Sequence, residues 1–160
     1  MAISSTLTTS FKKELLQGVH NFASGGNSFK LALYAGATAS LGATTTAYAT
    51  SLPGQSSGTN YTAGGSALTP AIAAPSSTGT TAFVDFADLT FSTATVTASG
   101  CLIYNDTNSD KSVATISFGA SKSSSAGDFT IVFPAAGANA IITIASGDRP
   151  YVYRYRLGQR

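Results

Sequence analysis

Asp88-Leu-Thr-Phe-Ser-Thr-Ala-Thr-Val-Thr97 and Ser99-Gly-Cys-Leu-Ile-Tyr-Asn105 decide the fold of this 160-residue chain. Each reads as a short β-strand. In the second, Cys101 and Ile103 alternate with Leu102 and Tyr104, all apolar or aromatic, so both faces of that strand are at least partly covered. Segments of the same kind recur at 66–73, 81–86, 112–118, 128–133 and 140–145. Asn105–Asp110 and Ser121–Gly127 read as hairpin loops between them. Short strands at this regular spacing mark an all-β sandwich or barrel. Upstream, Phe29-Lys-Leu-Ala-Leu-Tyr34 alternates and is a further strand.

One helix is expected, over about 10–23. Phe11, Leu15, Val19 and Phe22 form a single apolar stripe, Ser10 reads as the N-cap, and Ser24-Gly-Gly-Asn27 is the stop signal. Residues 36–65 are rich in Ala, Thr, Gly and Ser with several turn signals, and read as a long loop. Loops of that length in compact domains are usually functional or disordered, and this one is expected to be a flexible contact element. The fold class is therefore mainly β: an antiparallel β-sandwich of jelly-roll or immunoglobulin-like type with one short N-terminal α-helix. Residues 1–148 are expected to form one β-rich domain, and 149–160 a basic, aromatic C-terminal strand or arm.

Charged residues make up 10% of the chain, with nine bases, seven acids and a single Glu, Glu14. Ordinary soluble domains carry about 25%. A surface of hydroxyls and amides can be covered by a neighbour without desolvating ions, a cost of several kcal/mol per ion. That suits a protein packed in an assembly better than one arranging acids and bases for catalysis. No apolar run reaches the ~18–20 residues that cross a bilayer, and no secretory signal is read at the start. The lone Cys101 reads as a small buried hydrophobe with no disulfide to make.

Patterns that resemble catalytic or metal motifs fail on context. Gly54-Gln-Ser-Ser-Gly58 matches a hydrolase elbow, but Pro53 precedes it, a Gly/Thr loop follows, and the sole His, His20, lies upstream on the helix. Asp106-x-Asn108-x-Asp110 resembles half a calcium loop, yet Lys111 stands where a Gly is required; a hairpin turn accounts for the same residues. Asp85, Asp88, Asp106, Asp110, Asp128 and Asp148 read as solvated turn residues. No catalytic residue, no metal site and no cofactor is expected, and the chain is not expected to be an enzyme.

All four Arg lie in the last twelve residues. Tyr151, Tyr153 and Tyr155 share one face of an extended segment, and Val152, Arg154 and Arg156 the other. With Arg160, the Tyr and Arg side chains here are the candidate partner-binding residues, since Tyr and Arg are enriched at interface hot spots. The segment reads either as a docking arm or as a last core strand. Nucleic acid is not expected as a partner, because the body supplies no further basic track. Nor is a membrane.

Several segments together resemble a family of small virion structural proteins of tailed bacteriophages. They are Phe11–His20, Phe29–Tyr34, Tyr61-Thr-Ala-Gly-Gly65, Asp85–Phe91, Leu102–Asn105 and Asp128–Phe133. The resemblance spans about 10–145 and leaves the Tyr/Arg tail outside. It implies a virion component without catalysis, made in the bacterial host cytoplasm. The expected function is capsid decoration (a cement protein), bound to the major capsid protein or other virion proteins, and homo-oligomeric. A tail or fibre component, or a carbohydrate-binding adhesin module using Tyr48, Tyr61 and Tyr104, are the alternatives.

Overall fold

A computed structural model describes residues 3–36 and 38–145. In chain order the elements are β1 (Thr6–Leu7), α1 (Thr9–Leu16), β2 (Phe29–Tyr34), β3 (Ser66–Ala67), β4 (Ser76–Thr78), β5 (Thr81–Val84), β6 (Leu89–Asn105), β7 (Lys111–Ile131) and β8 (Ile142–Ala145). They form a mainly β, sandwich-like arrangement of two antiparallel sheets, ordered β1-β7-β6-β2-β3 and β4-β5-β8, with one short helix.

The two quoted strands are one. β6 runs without interruption through Ala98, and its pairing with β7 shifts register between Phe91 and Ala94 and again between Ala98 and Gly100. Each shift re-phases the pleat. The residues reaching the main core are Phe91, then Ala94, Val96 and Ala98, then Cys101 and Ile103. An unbulged strand of this sequence would turn half of that set to the other face. The break near residue 98 is thus a bulge and no turn. Likewise 112–118 and 128–131 belong to the single strand β7, which stops two residues short of the expected 133. Ser121–Gly127 is no hairpin loop: Lys122, Ser123 and Ser124 pair with Ala98, Thr97 and Val96. The expected strand over 66–73 shrinks to Ser66–Ala67, and β1 and β4 are additional short strands.

The helix starts and stops earlier than its apolar stripe implies. Thr8, and not Ser10, is the N-cap; its Oγ1 accepts from the Phe11 N–H at 3.3 Å. At the other end Gly18 adopts φ +70°, the Gly18 N–H reaches the Leu15 carbonyl and the Val19 N–H reaches that of Glu14. This paired bonding around a left-handed residue terminates a helix, and Gly reaches that conformation without a Cβ clash. Val19 and Phe22 lie beyond the helix. Phe22 is still buried, stacked on Phe29 at 4.3 Å in the main core between the sheets.

Around β2 and Gly100–Asn105 the large sheet is covered on both faces. On one side α1, the segment after it and the small sheet contribute Phe11, Phe22, Val84, Phe86 and Ile142 to the core. On the other, Ala32, Tyr34, Leu102 and Tyr104 are covered by Ala39 and Leu41 of the long connection. The expected contact loop is therefore also a structural cover. Ser56 and Tyr61 from it are buried as well, and the Leu33 N–H donates to the Tyr61 hydroxyl at 2.7 Å. Gly65, at φ +75°, lies so close to the Leu31 carbonyl that any Cβ there would collide with it.

Candidate functional site

The chemistry-bearing side chains divide into those engaged in holding the fold and those facing open surface. Glu14 and His20, the only Glu and the only His of the chain, meet each other in a buried network. The Glu14 carboxylate accepts from Lys111 Nζ at 2.7 Å and from His20 Nε2 at 3.0 Å. Asn105 donates from Nδ2 to His20 Nδ1 and to Asn27 Oδ1, while its Oδ1 accepts from the Asn108 N–H. Those partners orient the Asn105 amide, so His20 Nδ1 is the acceptor and Nε2 carries the proton. Burial pushes the His20 pKa below its ordinary value, outweighing the opposing pull of Glu14. Burial also acts to raise Glu14, but hydrogen bonds from Lys111 and His20 win and hold it below the usual carboxylate value. The pair is a neutral imidazole beside an ionised carboxylate. It ties the end of α1 to the β6–β7 turn.

The sequence motifs are absorbed in the same way. The Ser56 hydroxyl donates to the Thr97 carbonyl at 2.7 Å, and the His20 ring partners are Glu14 and Asn105, so the two share no contact of a catalytic kind. Asp106 pairs with Lys30 at 2.8 Å, and Asn108 donates to the Val19 carbonyl and Asn27. Ser109 and Asp110 are both left-handed, as a tight hairpin turn demands. No group of three His, Cys, Asp or Glu with metal-binding spacing occurs among the described residues. Asp85 corrects the solvated-turn expectation: it is buried, and its carboxylate accepts from the Phe86 N–H. Cys101 is fully buried and its thiol pKa is raised by desolvation.

Several concave surfaces are open among the described residues. One is an apolar groove of about 620 Å³ on the core-facing side of β7, with Ile116, Phe118, Phe129, Ile131, Phe133 and Ile141 in its walls and Lys122 and Asp128 at its margin. Beside it Val132 is 73% exposed. Another, of about 340 Å³, is polar and lies around Lys30, Tyr48, Tyr104, Asp106 and Asp110 at the hairpin end. There Tyr48 stacks on Tyr104 at 4.7 Å. Tyr61 and Tyr104 are buried, which leaves only Tyr48 half-exposed among the three tyrosines considered for sugar binding. Tyr151, Tyr153, Arg154, Tyr155, Arg156 and Arg160 lie outside the described residues.

The Glu14–His20–Asn105 network was invisible in the linear pattern, because its hydrogen-bonded pairs are up to 97 residues apart, as Glu14 and Lys111 are. The one available signal was that a nearly uncharged chain retains a single Glu and a single His six residues apart. The open groove has no linear signal either, since its walls come from β7 and the segment before β8.

Fold and surface together define a mainly β protein whose polar groups largely hold its own structure, with an apolar groove beside β7 and further exposed apolar side chains at Leu16 and Ile144. No protein-family model, curated protein or solved structure matches the chain.

Proposed function

We propose that this chain is a structural protein of a bacteriophage virion, a decoration protein that binds the outside of an assembled head and bridges neighbouring capsid subunits. The apolar groove beside β7, set in a surface of neutral hydroxyls, carries the reading. Apolar area concentrated in one place marks an interaction site, and the surrounding Ser and Thr can be covered without desolvating charge. The resemblance of Phe11–His20, Phe29–Tyr34 and Asp85–Phe91 to small virion proteins supports the same class. Binding works here through area and shape, with no catalytic step and no cofactor. Tyr151–Arg156 and Arg160 add hot-spot residue types at the C-terminal end.

The test mixes purified full-length protein with undecorated heads and locates it by electron microscopy. Regular density on the head exterior, with greater resistance of the heads to heat, is the expected result. Density on the tail overturns it and favours the tail-component alternative, and density on neither overturns it outright.

A second reading rests on the polar groove. An aromatic ring beside paired Lys30 and Asp106 is the kind of surface on which sugars stack and hydrogen-bond. Binding of the protein to an immobilised glycan panel, abolished by Tyr48→Ala, would favour an adhesin module.

A further inference from the structure

We propose that the chain's own C-terminal segment fills the groove beside β7: residues 149–156 return antiparallel along the open edge of β8 and lay their tyrosine face over it. This seat concerns the isolated chain. Only the consequence for head binding, drawn last, rests on the reading above.

The groove lies where the chain leaves the described residues. Its wall includes Ile141, the residue before β8, and no β4 or β5 residue lines it among the described residues. It therefore opens on the side of β8 away from β5. β8 pairs with β5 along Ile142–Ala145, and among the described residues no strand pairs with its other edge. An edge of this kind is a template for a further strand. The chain runs on from Ala145 to Arg160, so the strand nearest to hand is its own.

The sequence supplies the hairpin and sets its register. Gly147-Asp148 is a two-residue turn pair, with Gly at the first central position as a type II′ turn requires. Closing that turn sets Ser146 opposite Arg149, Ala145 opposite Pro150, Ile144 opposite Tyr151, Thr143 opposite Val152 and Ile142 opposite Tyr153. Pairs in an antiparallel ladder alternate, and the one flanking a two-residue turn is hydrogen-bonded. Pro150 thus falls in a non-hydrogen-bonded pair, where its missing N–H costs no ladder bond.

Opposite residues share a face. Ile142 and Ile144 line a cavity of about 180 Å³ with Phe11, Leu15 and Phe22, which marks the inward face of β8. Tyr151 and Tyr153 come to that face. Tyr151 covers Ile144, which is otherwise 51% exposed, and Tyr153 and Tyr155 reach the apolar side chains of the groove. Arg154 and Arg156 take the outward face, in water. A slip of one residue would reverse this and press the arginines onto apolar walls. Turn, proline and alternation agree on one register, and that agreement selects this segment as the occupant.

Paired cysteines in the full chain test the seat. Thr143→Cys with Val152→Cys joins a non-hydrogen-bonded pair, whose Cα separation of about 4.5 Å a disulfide spans. Cys101 is buried and does not compete. At low protein concentration, mild oxidation should close this link within one chain at least about tenfold faster than in Thr143→Cys with Tyr153→Cys, whose second cysteine points to the opposite face. Tyr153→Ser alone should raise the fluorescence of a dye that binds apolar surface severalfold. If the cysteine pair does not fold, the dye measurement decides. Equal rates for the two pairs, a link between two copies, or a dye signal indifferent to Tyr153→Ser overturns the proposal.

A capsid partner then gains the groove only as the segment leaves it. The closed disulfide should weaken head binding by about tenfold or more relative to the reduced form. Equal binding of both forms overturns this consequence and leaves the seat standing. Failure of every form to bind heads counts against the decoration reading alone.

Discussion

Between Gly100 and Asn105 every residue of β6 is buried, whereas between Leu89 and Ala98 only Phe91, Ala94, Val96 and Ala98 are. The two halves belong to one strand and both pair with β7, but only Gly100–Asn105 also pairs with β2, and the two differ in what lies over them. The first half sits between two covers, the phenylalanine core on one face and Ala39, Leu41 and Tyr48 on the other. Its sequence is nearly continuous in apolar and aromatic side chains, as buried strands are. The second half has one covered face, and its other face is written in Thr and Ser. Cross-strand pairs there are hydroxyl to hydroxyl, Thr97 with Ser123 at 2.8 Å and Thr90 with Thr130 at 2.9 Å. Two-sided burial holds the fold together, and one-sided burial leaves an edge and a groove for use.

The largest expected effect is in the doubly covered half. Ile103→Ala removes a fully buried side chain and should lower unfolding free energy by about 2–5 kcal/mol, measured by denaturant unfolding. Loss below about 1 kcal/mol would mean that this half is no better packed than its neighbour. Cys101 offers a second gauge of the same region: with full burial and a raised thiol pKa, it should resist a thiol reagent until the protein unfolds. Rapid labelling without denaturant would contradict the two-sided cover.

Next comes the polar tie between α1 and the hairpin turn. Glu14→Gln leaves Lys111 and His20 without their carboxylate and should cost about 1.5–3 kcal/mol, the scale of hydrogen bonds to charged groups. The pH dependence follows from the directions of both shifts. His20 has a folded pKa below its ordinary 6.5, so the unfolded chain binds the proton more readily. Its contribution is complete above 6.5 and is lost as pH falls through the folded value. Glu14 behaves likewise below its ordinary 4.5. Stability should therefore decline in two stages on acidification, and His20→Gln should remove the upper stage. A profile unchanged by that substitution would remove His20 from the account.

A smaller effect of opposite sign is expected at Tyr34. Its hydroxyl is buried in the second cluster with no hydrogen-bond partner among the described residues. Burial raises its pKa, led by desolvation. Tyr34→Phe deletes an uncompensated polar group and should stabilise by about 1 kcal/mol. Destabilisation by as much would place an unrecognised partner at that oxygen. Smallest of all, Ser123→Ala on the one-sided half should change stability by less than about 0.5 kcal/mol, as exposed positions do. A larger loss there would erase the distinction between the two halves.

Much of this architecture was legible in residue pattern. Phe29–Tyr34 announces its strand residue for residue, because alternation and flanking Gly and Asn leave little choice. The turn at Asp106–Asp110 was legible too, since Asn and Asp favour turns and the Asn105 side chain accepts from the Asn108 N–H, although Asp106 and Asn108 also reach distant partners. The helix was placed correctly but drawn too long, since the stripe through Val19 and Phe22 overruled Gly18 on paper and not in the chain. The site was far less legible. The candidate residues from Tyr151 onward lie outside what the structure describes, and the groove and the Glu14–His20 network emerged only in three dimensions.

Class and chemistry thus came from sequence alone: strand-period segments with turn residues between them, one N-terminal helix, and a surface nearly free of charge. These depend on neighbours a few positions away. Tertiary structure decided that pairs of predicted strands fuse through bulges, that the Ala/Thr/Gly-rich connection serves as a lid on the sheet, and which polar groups are consumed internally. Those outcomes depend on pairings such as Leu102 with Thr115 and Ala32, or Asn105 with His20, between residues distant in the chain. Local composition cannot specify which distant partner will supply the missing hydrogen bond or cover the second face, because that is settled by the packing of the whole chain.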